Sequence, residues 1–477
     1  MAAMGFRDRY GLTLSTQSQR ALEHYNEGIE RVLSYGVQPS LAFEAAAAED
    51  PDFALVYAAL GLSRMREMRL AEARACGERA VALAAGLPRR ERQHVAAIAE
   101  QTSGHGARGL ALMIEHLSEF PLDALLLNSA VGSLLYGGRQ HEMVRLTEAA
   151  RPAYPERDWF SLGVHAFALQ DVDRFDEARE AAEAALTVYR PAAFASHALA
   201  HVFYETGDDA AGIDFLPGWL AAFDRRAGLH LHLNWHLALF YLSRGEYGRV
   251  LALYEREIRP EVVLVDFQLY DPVSLLWRLE VCACDVDDRF WNEVGRLAGE
   301  RAATPGMIFN DLHNGMAFAH LGEQRALDAI IDSLRARGAR GHATAGEAAL
   351  PLLQGMAAFA AGSYAEMVRL VLPIEDRIFE IGGSHAQRDV FYDSLIEALL
   401  RSGHYEEAET RLRRRLAARP TPRDFYRLGS ACEGAGDDAA AAAAFAEARQ
   451  RWTGMDAAAP EAERLRAALG ASHGATA

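Results

Sequence analysis

The sequence predicts an all-α fold, an α-α superhelix built from consecutive pairs of antiparallel helices. Alanine and unbranched side chains dominate the 477 residues, and these side chains lose little conformational freedom in a helix. Similar helix-pair patterns recur along the chain, and short turn signatures separate the paired helices. Strand signals are nearly absent, apart from the β-branched run 262–265, which we interpret as a connector.

The repeated patterns match the tetratricopeptide unit, two antiparallel helices in about 34 residues with small residues where the helices touch. The segment 424–451 has Leu428 and Gly429 on its first helix and Ala441 and Phe445 on its second. The same offsets recur in the segment from Phe53, in the segment after Trp235 and before Pro420. We therefore predict a tetratricopeptide-like solenoid.

The turns between paired helices combine a glycine that ends one helix with an aromatic residue that begins the next. Gly245 with Tyr247 and Gly403 with Tyr405 show this arrangement. In such solenoids the first helix of each pair lines the concave face. We expect these first helices at 159–170, 192–206, 230–243, 267–281, 307–321, 346–361 and 386–401.

The predicted organisation is an N-terminal arm (1–17) followed by one continuous solenoid (18–452). The repeats that would form an inner pocket lie at about 192–400, and an extra C-terminal helix pair lies at about 424–451. The Ala- and Gly-rich residues 453–477 are expected to form a flexible tail.

Composition and charge exclude several functional classes. The net charge of -17 argues against a nucleic-acid partner, since phosphate binding needs a basic surface. No apolar stretch approaches the roughly 20 residues that cross a bilayer, so no membrane association is expected. The four cysteines follow no disulfide or zinc spacing and the N-terminus has no apolar signal core, so we expect a cytoplasmic protein.

Two neighbouring predicted inner helices each carry a pair of histidines four residues apart. His197 and His201 lie on one helix, and His232 and His236 lie on the next. A spacing of four places each pair on one side of its helix, so the four imidazoles are candidate ligands for a divalent transition metal such as zinc. The alternative is that each histidine is an interior residue that bonds to a carboxylate or a backbone carbonyl.

The later inner helices continue this concentration of polar side chains. Candidate acid–base groups, in addition to His201 and His236, are Asp311 and His313. The candidate ligand-binding residues are Asp271, Ser274, Arg278, Asn310, Gln387, Arg388 and Asp389. For the last three, the alternative is a Ser384 helix cap together with an arginine–aspartate ion pair between helices.

The sequence resembles the tetratricopeptide repeat protein 38 family from about residue 12 to 400. The most specific stretches are Pro88-Arg89-Arg90-Glu91-Arg92-Gln93-His94-Val95, Trp235-His236-Leu237-Ala238-Leu239, Phe309-Asn310-Asp311-Leu312-His313 and Ala386-Gln387-Arg388-Asp389-Val390-Phe391. The resemblance implies the solenoid fold and the pocket residues at matching positions. It names no reaction, because the family has no established activity.

The functional prediction is a His/Asp/Arg pocket that binds a small polar or anionic ligand, with or without a metal that assists acid–base or hydrolytic chemistry. The alternative is a scaffold that binds an extended peptide in the solenoid groove, and a third possibility is a structural homo-oligomer. No nucleophile motif, P-loop or dinucleotide fingerprint is present, so the sequence does not decide whether a reaction is catalysed.

Overall fold

The computed structural model describes residues 6–260, 269–301 and 306–466, and most of these residues are helical. They divide into two compact units. The first unit contains the described residues up to 199 together with 222–230, and the second contains 200–221, 231–260 and the described residues from 269 onward. The predicted β-branched connector at 262–265 lies outside the described residues.

The first unit opens with a small antiparallel hairpin, in which β1 (Phe6–Arg7) pairs with β2 (Thr13–Leu14). Its helices follow in chain order. They are α1 (Gln19–Leu33), α2 (Pro39–Glu49), α3 (Ala54–Arg66), α4 (Leu70–Ala84), α5 (Arg89–Thr102), α6 (Gly106–Glu119), α7 (Ala124–Tyr136), α8 (Gln140–Ala150), α9 (Trp159–Gln170) and α10 (Phe175–Val188). The next helix, α11 (Ala193–Thr206), begins in the first unit and ends in the second.

The second unit continues the series of helices. They are α12 (Asp209–Leu220), α13 (His230–Ser243), α14 (Tyr247–Leu253), α15 (Tyr270–Val281), α16 (Asp288–Arg301), α17 (Ile308–Leu321), α18 (Gln324–Ala339), α19 (Leu350–Ala360), α20 (Tyr364–Val371), α21 (His385–Arg401), α22 (Tyr405–Ala418), α23 (Pro422–Gly434) and α24 (Asp438–Arg451). A π-helical turn extends α14 (Tyr254–Ile258), another precedes α19 (Thr344–Ala349), and a 3-10 segment follows α20 (Leu372–Ile381). Residues 460–466 are helical as well.

The predicted turn chemistry explains how each helix reverses into the next. Gly245 and Gly403 adopt φ values of +68° and +80°, the left-handed conformation that glycine reaches without a steric penalty. Tyr247 and Tyr405 then begin α14 and α22. Helices pack on their neighbours in the chain, as α3 does on α4, α9 on α10 and α23 on α24. The all-α fold of consecutive helix pairs is therefore confirmed.

Most predicted inner helices match observed helices to within one residue at their ends. The range 159–170 is α9, 192–206 is α11, 230–243 is α13, 307–321 is α17 and 386–401 is α21. The helix predicted at 267–281 begins in residues outside the described part, and its described portion is α15. The helix predicted at 346–361 begins instead as a π-helical turn at Thr344 and becomes α-helical at Leu350.

Of the segment 453–477, which the sequence predicts to be a flexible tail, the structure describes residues up to 466. Residues 452–466 pack on the second unit through four buried apolar side chains, Trp452, Ala459, Ala462 and Leu465. The Asp456 amide donates to the Gly245 carbonyl at 3.0 Å, and the Trp452 Nε1 donates to the Ser243 carbonyl at 2.8 Å. Buried apolar area, together with hydrogen bonds to the end of α13 and to the turn that follows it, therefore holds this segment in place, although its composition is typical of a loop.

Candidate functional site

A buried cluster of histidines lies at the centre of the candidate site in the second unit. His201 is on α11, and His232 and His236 are on adjacent turns of α13. Their candidate ligand nitrogens all lie within 4.8 Å of one another. The ring centroids of His201 and His236 are 4.4 Å apart, and those of His232 and His236 are 4.8 Å apart. The spacing of four on α13 thus brings two imidazoles to a third from another helix.

An aspartate orients one ring of this cluster. The Nδ1 of His232 lies 2.7 Å from the Oδ2 of Asp271 on α15, and both side chains are buried. A carboxylate accepts and does not donate when it is ionised, so the proton is on Nδ1 of His232. The lone pair of His232 is then on Nε2, the ring nitrogen that does not face Asp271. The same carboxylate–histidine pairing supports histidine ligands in metal sites.

The electrostatic surroundings keep His201 neutral. Burial lowers the pKa of His201 well below its usual value, and the nearby His232, His385 and Arg388 lower it further. A neutral imidazole has a free lone pair and is the form that binds metal ions. His201 can therefore accept a hydrogen bond or coordinate a cation at neutral pH.

His197, the fourth predicted metal ligand, lies in the first unit, one turn before His201 on α11. It is buried, and its ring packs on that of Phe167 with a centroid distance of 4.9 Å.

The predicted ligand-binding residues of α15 are held by their own neighbours. Arg278 donates to the Ser274 hydroxyl at 2.6 Å and to the Ala386 carbonyl at the start of α21 at 2.6 Å. Its guanidinium also lies over the ring of Trp235, 5.4 Å from the centroid. These contacts fix a buried positive charge beside α13, the helix that carries His232 and His236.

The start of α21 contains both predicted features of its capping alternative. Ser384 caps the helix, and its capping box includes Gln387, whose side chain accepts from the Ser384 amide at 3.1 Å. The Arg388 guanidinium donates to the Gly383 carbonyl. Asp389 accepts hydrogen bonds from Arg419, which directly follows α22, and, at 2.8 Å, from the Tyr204 hydroxyl. Asp389 therefore forms an ion pair between helices.

The ion pair changes the protonation behaviour of Asp389. Burial alone would raise the pKa of this carboxyl, but Arg419 and Arg415 lower it well below the usual range. Asp389 is therefore ionised at neutral pH.

The α17 residues point to separate partners. The His313 Nδ1 donates to the Phe309 carbonyl at 2.8 Å, and burial lowers the pKa of His313 to about 3. Arg337 of α18 donates to the Asp311 carboxylate at 2.9 Å, while burial raises the pKa of Asp311. Asn310 is half-buried next to them. His313 is thus neutral, with its lone pair on Nε2, and Asp311 is engaged in an ion pair.

A second buried cluster lies in the first unit and has no role in the sequence prediction. The Asp123 Oδ2 accepts from His94 Nδ1 at 2.8 Å, from His116 Nε2 at 3.1 Å and from Arg90 at 3.1 Å. Arg90 also donates to the Thr13 carbonyl at 2.9 Å. The spacing of four between Arg90 and His94 in the most specific stretch at 88–95 was a signal for this cluster, but Asp123 lies too far along the chain to be paired with it from spacing.

Comparisons with known proteins add little to this picture. No family model matches the chain. A solved structure of Naa15/Naa10 bound to HypK-THB is similar over 95% of this chain and 68% of that chain, at 14% sequence identity and a TM-score of 0.23. A likeness at this level carries no argument about function. In the described part of the chain, no helix has the length and apolar character that a bilayer crossing needs.

Proposed function

We propose that the second unit binds a divalent transition metal such as zinc through His201, His232 and His236, together with a small anionic ligand. The observation that carries the proposal is the convergence of three imidazoles from two helices, with candidate ligand nitrogens within 4.8 Å of one another. Membership of the tetratricopeptide repeat protein 38 family is a further part of the proposal, and it rests on the motifs quoted above.

The number and type of ligands favour zinc-like chemistry. Three neutral imidazoles with an open fourth position are a common arrangement of catalytic zinc sites, in which water or substrate completes the tetrahedron. Asp271 supplies the carboxylate that orients one ligand, since it holds His232 Nδ1 at 2.7 Å. A bound metal would act as a Lewis acid or lower the pKa of a coordinated water.

The charges around the histidines favour an anionic ligand over a cationic one. Arg388 contributes a positive field at His201, and the Arg278 guanidinium is buried beside Trp235. A metal ion would add further positive charge to this region, and Asp271 offsets only part of it. A carboxylate or phosphate would neutralise the remainder.

The peptide-groove alternative has weaker support. Its anchors would be solvent-accessible, whereas His201, His236, Ser274, Arg278 and Arg388 are buried. The fold class alone supports a peptide scaffold, and no contact at the site favours it.

Metal analysis of protein purified without chelators or a polyhistidine tag tests the proposal. We expect about one equivalent of a transition metal in the wild type and its loss in a His201→Ala, His236→Ala double variant. In Asp271→Asn, we expect metal affinity to fall by roughly 10- to 100-fold. A His24→Ala, His105→Ala double variant is the matched control, because it removes two histidines with solvent-exposed side chains.

Equal, substoichiometric metal in the wild type and in the His201/His236 double variant would contradict the metal site. If the double variant then also lost thermal stability, the histidines would be interior hydrogen-bonding residues. Circular dichroism of each variant establishes that it has folded.

A further inference from the structure

A charged cavity lies in the C-terminal part of the second unit, apart from the histidine cluster. Its volume is about 340 Å³, at the lower end of the range of small-molecule sites. The end of α15, α21, α23 and the helical residues 460–466 line it. Its lining includes four arginines and three glutamates, namely Arg401, Arg423, Arg427, Arg464, Glu397, Glu433 and Glu461.

One buried arginine of this cavity keeps unused donors. Arg427 is 3% exposed and donates from Nη1 to Asp393 Oδ1 at 2.9 Å. Its Nε lies 3.9 Å from Glu397 Oε2, beyond hydrogen-bond distance, and its Nη2 makes no hydrogen bond to any described residue. Two donor groups of a guanidinium therefore remain for an anion, which planar guanidinium groups bind well.

The neighbouring Arg423 has both of its Nη groups engaged. Its Nη1 donates to Glu461 at 2.7 Å, and its Nη2 donates to the Tyr247 hydroxyl at 2.6 Å and the Leu242 carbonyl at 3.0 Å. Arg423 thus holds the cavity wall in place, and Arg427 keeps more of its donors for a ligand.

The carboxylates of the cavity have spare acceptor capacity. Glu461 is 3% exposed, and while its Oε1 accepts from Arg423 and Tyr247, its Oε2 has no hydrogen-bond partner among the described residues. Glu397 accepts from Arg401 at 2.7 Å through Oε1, and among the described residues its Oε2 is contacted by Arg427 alone, at 3.9 Å. A donor on a ligand could bond to Glu397 Oε2 beside Arg427.

We propose that this cavity binds a small zwitterion of the α-amino acid type, whose carboxylate pairs with Arg427 and whose ammonium group pairs with Glu397. A ligand of one charge sign would meet like charges on the wall, whereas a zwitterion places each charge opposite a complementary group. Leu400, Tyr405 and Tyr426 supply apolar surface for a side chain.

The lining also contains the thiol of Cys282, and its protonation state favours a binding site over a site of thiolate chemistry. Burial raises the pKa of Cys282 to about 11, so the thiol is protonated at neutral pH and is a poor nucleophile.

Isothermal titration calorimetry with three related ligands, which all carry a phenyl ring on an alkyl chain, tests the proposal. The ligands are L-phenylalanine, its carboxylate-only analogue 3-phenylpropionate and its ammonium-only analogue phenethylamine. We expect L-phenylalanine to bind to the full chain. Each analogue should bind at least roughly tenfold more weakly, because each loses a hydrogen bond to a charged group. Absence of L-phenylalanine binding at millimolar concentration, or equal binding of either analogue, would overturn the zwitterion site.

Two variants locate the binding. Glu397→Gln removes the ammonium partner and should weaken L-phenylalanine binding by a similar factor, while Glu409→Gln removes an equivalent acceptor from the 2.7 Å pair with Arg413 outside the cavity and should leave it unchanged. Ser430→Leu fills the cavity from α23 and should abolish binding. Retained affinity in both Glu397→Gln and Ser430→Leu, with both variants folded by circular dichroism, would place the ligand elsewhere and contradict the proposal.

Discussion

At the scale of single residues, the two buried histidine clusters differ in what converges at their centres. In the first unit, two histidines and Arg90 all donate to one oxygen of Asp123. A metal cation there would have to displace a guanidinium. In the second unit, Asp271 forms a hydrogen bond with His232, and the imidazole rings of His201, His232 and His236 approach one another. The first arrangement stabilises an anion, and the second is suited to a cation.

The Asp123 cluster leads to a prediction about stability and pH. Burial raises the pKa of Asp123, but His94, His116 and Arg90 outweigh it and lower the pKa well below the usual value. We expect Asp123→Asn to reduce the free energy of unfolding by about 3–5 kcal/mol at pH 7, because Arg90, whose side chain is 10% exposed, loses a carboxylate partner, and buried His94 and His116 lose their shared charged acceptor. Chemical denaturation measures this difference.

The sign of the pH effect follows from the lowered pKa. A carboxyl with a depressed folded-state pKa contributes its full stability above its unfolded pKa of about 3.9 and loses it as the pH falls toward the folded value. The difference between wild type and Asp123→Asn should therefore be constant at neutral pH and shrink only below about pH 4. The control is Asp52→Asn, whose side chain is 87% exposed, with an expected change within about 0.5 kcal/mol. A difference already shrinking near pH 6 would contradict this explanation.

At the scale of helices, the repeat pattern works because glycines allow aromatic rings to pack close to the backbone. A Cβ added at Gly212 of α12 would clash with the Phe240 ring of α13, and one added at Gly429 of α23 would clash with Phe445 of α24. These contacts are the small-on-large pairs that predict a tetratricopeptide unit. Helix ends were predictable as well, since turn glycines and caps act locally.

A pair of glycines on one helix tests this packing. Gly212→Ala should lower the free energy of unfolding by about 1–3 kcal/mol, because the added methyl group overpacks the contact with Phe240. Gly218→Ala on the same helix adds a methyl group with nothing within 4 Å, and should be neutral or stabilise by up to about 1 kcal/mol. Equal effects of the two substitutions in urea denaturation would show that helix propensity, and not the ring contact, decides the outcome.

At the scale of the whole molecule, contacts between distant segments hold residues that local composition assigns to a loop. The Tyr247 hydroxyl donates to Glu461 at 2.6 Å, and Arg423 donates to both. These contacts join α14, α23 and the helical residues 460–466 of the second unit. The sequence around Glu461 is rich in alanine and lacks a strong periodic pattern, so only the distant partners explain its order.

A single substitution tests whether Glu461 holds this segment. Glu461→Gln should reduce the free energy of unfolding by about 3–5 kcal/mol, because Arg423 stays buried without its counter-charge. Glu463→Gln, two residues later and exposed, should change it by less than about 0.5 kcal/mol. Proteolysis within 452–466 at equal rates in the two variants would argue against this role for Glu461.

The sequence by itself determined the all-α class, the helix pairs and the positions of most inner helices. Helix periodicity, turn glycines such as Gly245 and caps such as Ser384 act over a few residues, and this information is local. The spacing of four also singled out His232 and His236. The π-helical turns were not predicted, since composition does not distinguish backbone hydrogen bonds between residues four apart, as in an α-helix, from those between residues five apart, as in a π-helix.

Only the tertiary structure decided which partners the polar residues have. It joined His232 to Asp271, Asp389 to Arg419 and Tyr204, and Asp123 to two histidines and an arginine. It also brought the helical residues 460–466 to Arg423 and Tyr247. The physical reason is that a buried charge is stable only with a counter-charge or a hydrogen-bond partner, and these partners come from other helices. Pairing between helices leaves no periodic signal along the chain.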